Sequence, residues 1–324
     1  MKTFTVVVRM ATLGVLMAVA GHVAAQQGYP NKPIRIITPY APGGSTSVLA
    51  RLVGQKLTEA WGQQVLVESR GGANTIIGSD AAAKSAPDGY TLLVAGSTLV
   101  INASLYPKLP YDTFKDLAPI AALTSLEYLL AANPSVPANN LQELIALAKS
   151  KPGKLNYAAT GTTMQIVSEQ FNILAGTKLQ HVPYKGGGQA QTDIVGGQVE
   201  LMFAVPSNVI SHIKSGRLKG IAVSGKKRLP AAPQVPTFTE GGLAGFDVTS
   251  WYGLFAPAGT PKGIIDKLAA ETAKMLALPD FKEKMEAQGF EAFPSTPDEL
   301  AALMRSDYAK YAKIIKIANI KVEE

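Results

Sequence analysis

The chain has no cysteine among its 324 residues. Disulfides and thiolate metal sites are therefore excluded, and so is a lipid anchor attached through a cysteine. Histidine is almost absent, at His22, His181 and His212. The last two show no metal-ligand spacing and read as structural. Aromatic residues make up only 7% of the chain, and no basic stretch is interleaved with them as a nucleic-acid surface requires. The short run Lys226-Lys227-Arg228 reads as a solvated face, and no nucleic-acid partner is expected. Apolar runs of membrane-spanning length are missing as well. Met10 to Ala20 is short, follows Lys2 and Arg9, and precedes Val23-Ala24-Ala25. That is the pattern of a secretory signal peptide over residues 1–25, too short for an anchor. The expected location is a bacterial periplasm, with stability supplied by core burial.

Cleavage after Ala25 leaves 299 of the 324 residues, enough for one large or two medium domains. The formal charge is +7, or +5 without Lys2 and Arg9, a mild balance that suits steering of small anions into a cleft. Strand-like and helix-like segments alternate along most of the chain, which predicts an α/β architecture. Strands are expected at 34–38, 65–68, 91–95, 128–132, 155–158, 181–184, 201–205 and 220–224. Asn140 is the expected cap of a helix over 141–150, and three helices are expected after residue 262, the last starting beyond Thr296.

One stretch stands out. Pro39-Tyr40-Ala41-Pro42-Gly43-Gly44-Ser45-Thr46-Ser47 links the strand 34–38 to a helical stripe of Val48, Leu49, Leu52, Val53 and Leu57. A glycine turn and three hydroxyl residues at a helix start make an anion cradle, because the first helical N–H groups are unpaired and carry partial positive charge. The pattern of strand, glycine–hydroxyl turn and helix returns around Gly96-Ser97-Thr98 and around Gly161-Thr162-Thr163. In an open α/β sheet such turns lie at the carboxyl ends of strands, where ligands bind.

A series of motifs runs through the mature chain in order. It includes Tyr29-Pro30-Asn31-Lys32-Pro33, Pro42-Gly43-Gly44, Ala86-Pro87-Asp88-Gly89-Tyr90, Leu105-Tyr106-Pro107, Pro152-Gly153-Lys154-Leu155-Asn156-Tyr157, His181-Val182-Pro183-Tyr184-Lys185-Gly186, Gly196-Gly197-Gln198-Val199 and Ser250-Trp251-Tyr252-Gly253-Leu254. The chain resembles the extracytoplasmic solute receptors of the tripartite tricarboxylate transporter family, the Bug receptors. The resemblance implies a two-lobed periplasmic binding fold of type II-like architecture with a hinged cleft. It also implies a small carboxylate ligand and delivery to a membrane permease of one large and one small subunit. The receptor is expected to be a monomer without cofactor or metal. One lobe is expected from 26–124 plus 248–324 and the other from 125–247, with hinges near Ala122–Leu126 and Asp247–Ser250.

By the resemblance, Pro42–Ser47 and Gly161–Gln165 face each other across the cleft. The expected ligand-binding set is Tyr40, Gly43, Gly44, Ser45, Thr46, Ser47, Ser97, Thr98, Gly161, Thr162, Thr163, Met164, Gln165, Tyr184, Phe203 and Ala204. Tyr40, Met164 and Phe203 are expected to give apolar contacts. Family members commonly carry aspartate where this chain has Ser47 and Ala204, and histidine where it has Gln165. An aspartate could pair with a ligand ammonium and would be costly unpaired beside a carboxylate. Its loss at both positions favours an amine-free dicarboxylate, of which an aromatic one of the terephthalate kind is the working case. Two other functions compete. An exported serine hydrolase would use a cleft serine, but no Gly-x-Ser-x-Gly elbow is present and only two histidines remain as a base. A ligand-sensing subunit docking on a membrane sensor would use the same binding chemistry.

Overall fold

A computed structural model describes residues 28–40, 42, 45–184, 187–246, 248–288 and 290–321. The segment expected to be a signal peptide lies outside the described residues. Among the described residues no helix is long and apolar enough to cross a membrane.

Strands β1 (Ile34–Thr38), β2 (Val65–Ser69) and β3 (Thr91–Gly96) run parallel, joined through helices α1 (Ser45–Trp61) and α2 (Ile76–Ala83). Helix α3 (Thr98–Leu105) leads into β4 (Leu117–Leu126). The chain then builds a second sheet with β5 (Leu129–Ala132), α4 (Leu141–Ser150), β6 (Asn156–Thr160), α5 (Gly161–Ala175) and β7 (Gln180–Tyr184). Helix α6 (Gly187–Gly196), β8 (Leu201–Ala204), α7 (Pro206–Lys214) and β9 (Lys219–Val223) complete it. Strand β10 (Ser250–Pro257) returns to the first sheet, followed by α8 (Lys262–Ala277), α9 (Pro279–Ala287), β11 (Glu291–Ala292) and α10 (Pro297–Ile317).

The strand orders are β11-β4-β10-β3-β1-β2 and β7-β6-β8-β5-β9. Apart from β11, both sheets follow one plan: second parallel strand, first, third, an antiparallel strand, fourth. The antiparallel strand is in each case the one that arrives from the other sheet. Register then fixes where the sheets meet. Ser250 at the start of β10 pairs with Leu126 at the end of β4, and Tyr252 pairs with Gly96 at the end of β3. Leu129 at the start of β5 pairs with Ala204 and Val223, the last residues of β8 and β9. Only Glu127 and Tyr128 separate β4 from β5. The carboxyl ends of the parallel strands of both sheets therefore converge on one junction.

Each sheet has its own core. Phe171, Phe203, Phe238 and Phe246 pack together beneath the second sheet, with the Phe238 and Phe246 rings 4.1 Å apart. Beneath the first, Ile34, Ile36, Leu92, Val94 and Leu254 are fully buried. Burial on this scale is worth about 25 cal/mol per Å² of apolar surface and stands in for the missing disulfides. Ile166 of α5 lies in a cluster with Trp251, Leu300, Met304 and Tyr311, so the second unit packs on α10 of the first.

Helix starts follow the sequence reading where a side chain sets them. Asn140 accepts from the Glu143 N–H at the start of α4, and Thr296 with Glu299 forms a reciprocal capping box at α10. Strands β4 and β10 were not expected. Both are buried on two faces, so neither shows apolar–polar alternation, and β10 contains Gly253 and ends in Pro257. Their presence corrects the first hinge position. Ala122–Leu126 lies inside β4, paired to β10, and the crossing falls at Glu127–Tyr128. Asp247 of the second expected hinge lies outside the described residues.

Candidate functional site

The junction gathers the starts of α1, α3, α5, α6 and α7, each of which follows the carboxyl end of a parallel strand. Side chains cap none of α3, α5 and α7: Ser97, Thr160 and Val205 precede them without a capping hydrogen bond. The N–H groups at the starts of α3 and α5 that no carbonyl takes thus remain available to an acceptor from outside the helix, whereas α7 opens with Pro206, which has none, and its Asn208 N–H is bonded to the Val205 carbonyl. Gly161 opens α5 at φ 77°, the left-handed region, with open space around the position a Cβ would take. At the end of β3, Gly96 allows the Tyr252 ring to lie across the backbone; a Cβ there would stand 2.8 Å from a ring carbon.

The floor is made of tyrosines and hydroxyls. The Tyr40 hydroxyl lies 3.4 Å from Thr98 Oγ1 and accepts from the Gly96 N–H at 3.3 Å. The Tyr40 and Tyr252 rings meet edge to face, with centroids 6.0 Å apart. Burial raises the phenols of both, and the hydroxyls of Thr98 and Thr46 beside them partly oppose the shift. Both rings are therefore neutral donors at any physiological pH. Further in, Ser97 and Ser250 share a 2.6 Å hydrogen bond, next to Tyr128, whose phenol burial also raises. Trp251 Nε1 donates to Asp307 Oδ2 at 2.8 Å, and Lys310 pairs with the other carboxylate oxygen at 2.7 Å.

The expected site residues divide into three groups. Tyr40, Thr98, Gly161, Thr162, Thr163, Gln165 and Tyr184 keep accessible surface at or beside the junction. Tyr184 donates to Asp193 at 2.9 Å, and burial together with that carboxylate pushes its phenol up to about 12. A second group lies behind the site. Thr46, Ser47 and Ser97 are buried. Ser47 Oγ is engaged with Ser69 Oγ at 3.1 Å, which in turn contacts Thr38. Ser47 is therefore engaged inside the α1–β2 packing and is not an open donor, a correction to its expected role. Phe203 is likewise corrected: along β8, Leu201 and Phe203 face the aromatic core while Met202 and Ala204 face the opposite cluster. The period of two along a strand turns Phe203 into the aromatic core. Met164 is 9% exposed at the edge of that same core, and Ala204 is buried. For the third group, Gly43 and Gly44 lie outside the described residues, as does the Ser45 side chain.

Two elements escaped the sequence reading. Tyr252 belongs to the unexpected β10. The loop after β2 carries Ala73, Asn74 and Thr75 at φ 45°, 49° and 75° in succession. It is pinned by Asn102, which accepts from Asn74 Nδ2 at 2.8 Å and donates to the Asn74 carbonyl at 2.7 Å. Gly71-Gly72 and Asn74 after a strand were the signal that could have marked it.

Among the described residues the two arginines nearest these groups in sequence do not supply a free charge to the site. Arg70 binds Glu68 at 2.5 Å and Arg51 is exposed on α1. His181 stacks on Tyr157 at 5.4 Å, and His212 Nε2 lies 2.7 Å from Gln191 Nε2. Among the described residues no cluster of potential metal ligands occurs. The arrangement is suited to holding anionic oxygen atoms with neutral donors.

Comparison with known proteins agrees with this chemistry. Residues 49–320 match the family model described as tripartite tricarboxylate transporter family receptor. The protein BugT of Bordetella pertussis is 35% identical over 320 residues, covering 97% of this chain and 98% of its own. A protein from the tcbD–tcbE intergenic region of Pseudomonas sp. strain P51 is 35% identical over 290 residues, or 89% and 86% of the two chains. Among solved structures, the periplasmic binding protein BugD is 32% identical at TM-score 0.76, covering 91% of this chain and all of that one. Rpa4515 of R. palustris, solved with adipate, is 28% identical at TM-score 0.79, with coverage of 90% and 99%. MatC of Rhodopseudomonas palustris, solved with malate, is 31% identical at TM-score 0.75, with coverage of 89% and 100%.

Proposed function

The chain belongs to the tripartite tricarboxylate transporter family of receptors, and on that premise we propose that it captures an amine-free dicarboxylate in the periplasm. It hands this ligand to a permease of one large and one small subunit, and it acts as a monomer without catalysis. The observation that carries the reading is the convergence of α3, α5 and α7, with starts that no side chain caps, beside the hydroxyls of Thr98, Thr162 and Thr163. A carboxylate is the natural occupant of such a helix start. The adipate and malate in the two relatives' structures are both dicarboxylates without an amine.

The lobes are 26–124 with 248–324, and 125–247, adjusted so that the last residues of β4, through Leu126, stay with the first. Ligand binds one and the other closes over it, turning about Glu127–Tyr128 and the segment that leads into β10 at Ser250. One carboxylate sits at the Tyr40–Thr98 side and the other at Gly161–Gln165. Tyr40 and Tyr252 offer ring edges and faces to whatever joins the carboxylates, which suits an aromatic spacer as in terephthalate. Ser47 and Ala204 leave no carboxylate to receive an ammonium at either position, so amino acids lack a counter-charge there. A thermal-shift series tests this. Ligand at one hundred times Kd stabilises by about 2.7 kcal/mol. Adipate, malate and terephthalate are expected to raise Tm, and aspartate and glutamate are not. Stabilisation by the amino acids alone would sink the ligand assignment.

A further inference from the structure

The pole of the second sheet farthest from the junction carries a concentration of positive charge. Helices α4 and α5 both end there, and β6 and β7 both begin there. Lys149, Lys151, Lys154 and Lys178 are all exposed at this pole. Backbone bonds hold their segments together: the Gly153 N–H donates to the Lys178 carbonyl at 2.8 Å, and the Lys154 N–H to the Lys151 carbonyl at 3.2 Å. Lys149 Nζ lies 3.9 Å from the place of a Cβ at Gly176, the residue that ends α5. Among the described residues none of the four lysines has an ion-pair partner. Glu169 and Glu200, on neighbouring elements, are engaged within the unit by Tyr157 and Asn156. Two aliphatic side chains of the last turn of α5, Ile173 and Leu174, stand out among the lysines at 38% and 42% exposure.

A favourable interaction with the helix dipoles accounts for one lysine at each helix end. It does not account for four without counter-ions around exposed isoleucine and leucine. We propose that this pole is a docking surface for an anionic lipid surface. Four ammonium groups on flexible stems suit a diffuse field of headgroups better than a single bidentate anion, which favours arginine. Ile173 and Leu174 are placed to enter the headgroup boundary between them. Because the pole is opposite the junction, docking leaves the cleft open. Weak adsorption would hold the protein near the bilayer and shorten its search for a membrane partner. The proposal goes beyond the receptor reading and does not require it.

A lysine close to an anionic surface is worth roughly fivefold in partitioning, and the attraction fades within a Debye length. The test is co-sedimentation of the mature protein with phosphatidylglycerol-containing vesicles, against pure phosphatidylcholine vesicles, at low and high salt. Binding is expected to the anionic vesicles only and to be lost at about 0.5 M salt, where the Debye length is a few ångströms. The variant Lys149→Gln, Lys151→Gln, Lys154→Gln, Lys178→Gln should bind at least about tenfold less. A charge-matched control, Lys282→Gln, Lys313→Gln, Lys316→Gln, Lys321→Gln, should bind as the unmodified chain does. All eight positions are exposed, and circular dichroism checks that both variants fold. Equal loss in the two variants would reduce the effect to net charge and overturn the proposal. So would an absence of vesicle binding, or binding to a soluble acidic protein through the same lysines without any to lipid.

Discussion

Replacement of Asp307 tests whether the contact that ties α10 to β10 holds the fold together. Asp307 is 4% exposed, accepts from Trp251 Nε1 at 2.8 Å and pairs with Lys310 at 2.7 Å. Asp307→Ala leaves a buried indole N–H unpaired and removes the partner of a part-buried ammonium. A hydrogen bond to a charged group is worth about 1.5–3 kcal/mol, and an orphaned donor costs about 1–3 kcal/mol of desolvation. A loss of about 2–3 kcal/mol is therefore expected, close to half the stability of a marginal domain. Asp307→Asn keeps an acceptor oxygen for Trp251 and should lose about half as much. The assay is urea unfolding followed by tryptophan fluorescence, which is favourable because the chain has only two tryptophans, Trp61 and Trp251. A double-mutant cycle with Trp251→Phe isolates the pair, and coupling of about 1–2 kcal/mol is expected for groups in direct contact. A single-mutant cost under about 0.5 kcal/mol, with coupling indistinguishable from zero, would refute the reasoning. That is the behaviour of an ordinary surface substitution.

Three further outcomes follow from the same geometry. Phe203→Ala should destabilise by about 3–5 kcal/mol, as large-to-small core changes do. The folded fraction, measured by thermal-shift titration, should keep its ligand affinity; selective loss of affinity at unchanged stability would return Phe203 to the pocket. Thr163→Val, which removes a hydroxyl at the start of α5, should weaken dicarboxylate binding by about 0.5–1.5 kcal/mol, readable by calorimetry, and no change in Kd would place the carboxylate elsewhere. The third concerns alkaline pH. The phenols of Tyr29, Tyr40, Tyr111, Tyr128, Tyr157, Tyr184, Tyr252 and Tyr311 are all raised, chiefly by burial. Each holds its proton in the folded chain at pH values where the unfolded chain has released it. Their stabilisation is thus complete below about pH 10, the unfolded phenol value, and is lost as pH rises through the folded one. For Tyr184 the window runs from the ordinary value of 10.0 to about 12. Absorbance titration at 295 nm should show phenolate appearing late in native protein and together with unfolding, and Tyr184→Phe should flatten the stability loss in that window.

Much of the architecture could be read from periodicity because three of the parallel strands end in a glycine–hydroxyl turn and a helix. That local grammar located β1, β3 and β6 and the helices α3 and α5 that follow two of them. It failed at β4 and β10, where burial on both faces erases alternation. The failure had a consequence for the site. Without β10 there is no Tyr252 opposite Gly96, and the hinge drifts into a strand that is fully paired. The expected site residues were identified by type and position in the chain, and those properties do not say which way a side chain points. Ser47 and Phe203 show the cost. One lies on the first turn of a helix and the other on a strand, and in each the element's own period turns the side chain inward.

The inward turn of Ser47 also changes what a serine rather than an aspartate at this position means. A serine at the cleft surface would have added one more donor to a ligand. A serine bonded to Ser69 and, through it, to Thr38 instead closes a chain of three neutral hydroxyls across α1, β2 and β1. An aspartate in the same place would be a fully buried carboxylate, tolerable only with a charge or several N–H groups to meet it. The neighbouring partners are hydroxyls, which supply fewer and weaker counter-dipoles. The effect proposed for this position on ligand choice is therefore one of field rather than contact. With serine there, the start of α1 keeps its partial positive charge undiminished, which is the ground for proposing a doubly anionic ligand over a zwitterion. Ser47→Asp separates the two readings. If field governs, the variant should lose dicarboxylate affinity although the side chain at 47 is turned towards Ser69, and the loss should lessen at pH values low enough to protonate the new carboxyl. If only contact mattered, the dissociation constant would stay where it was.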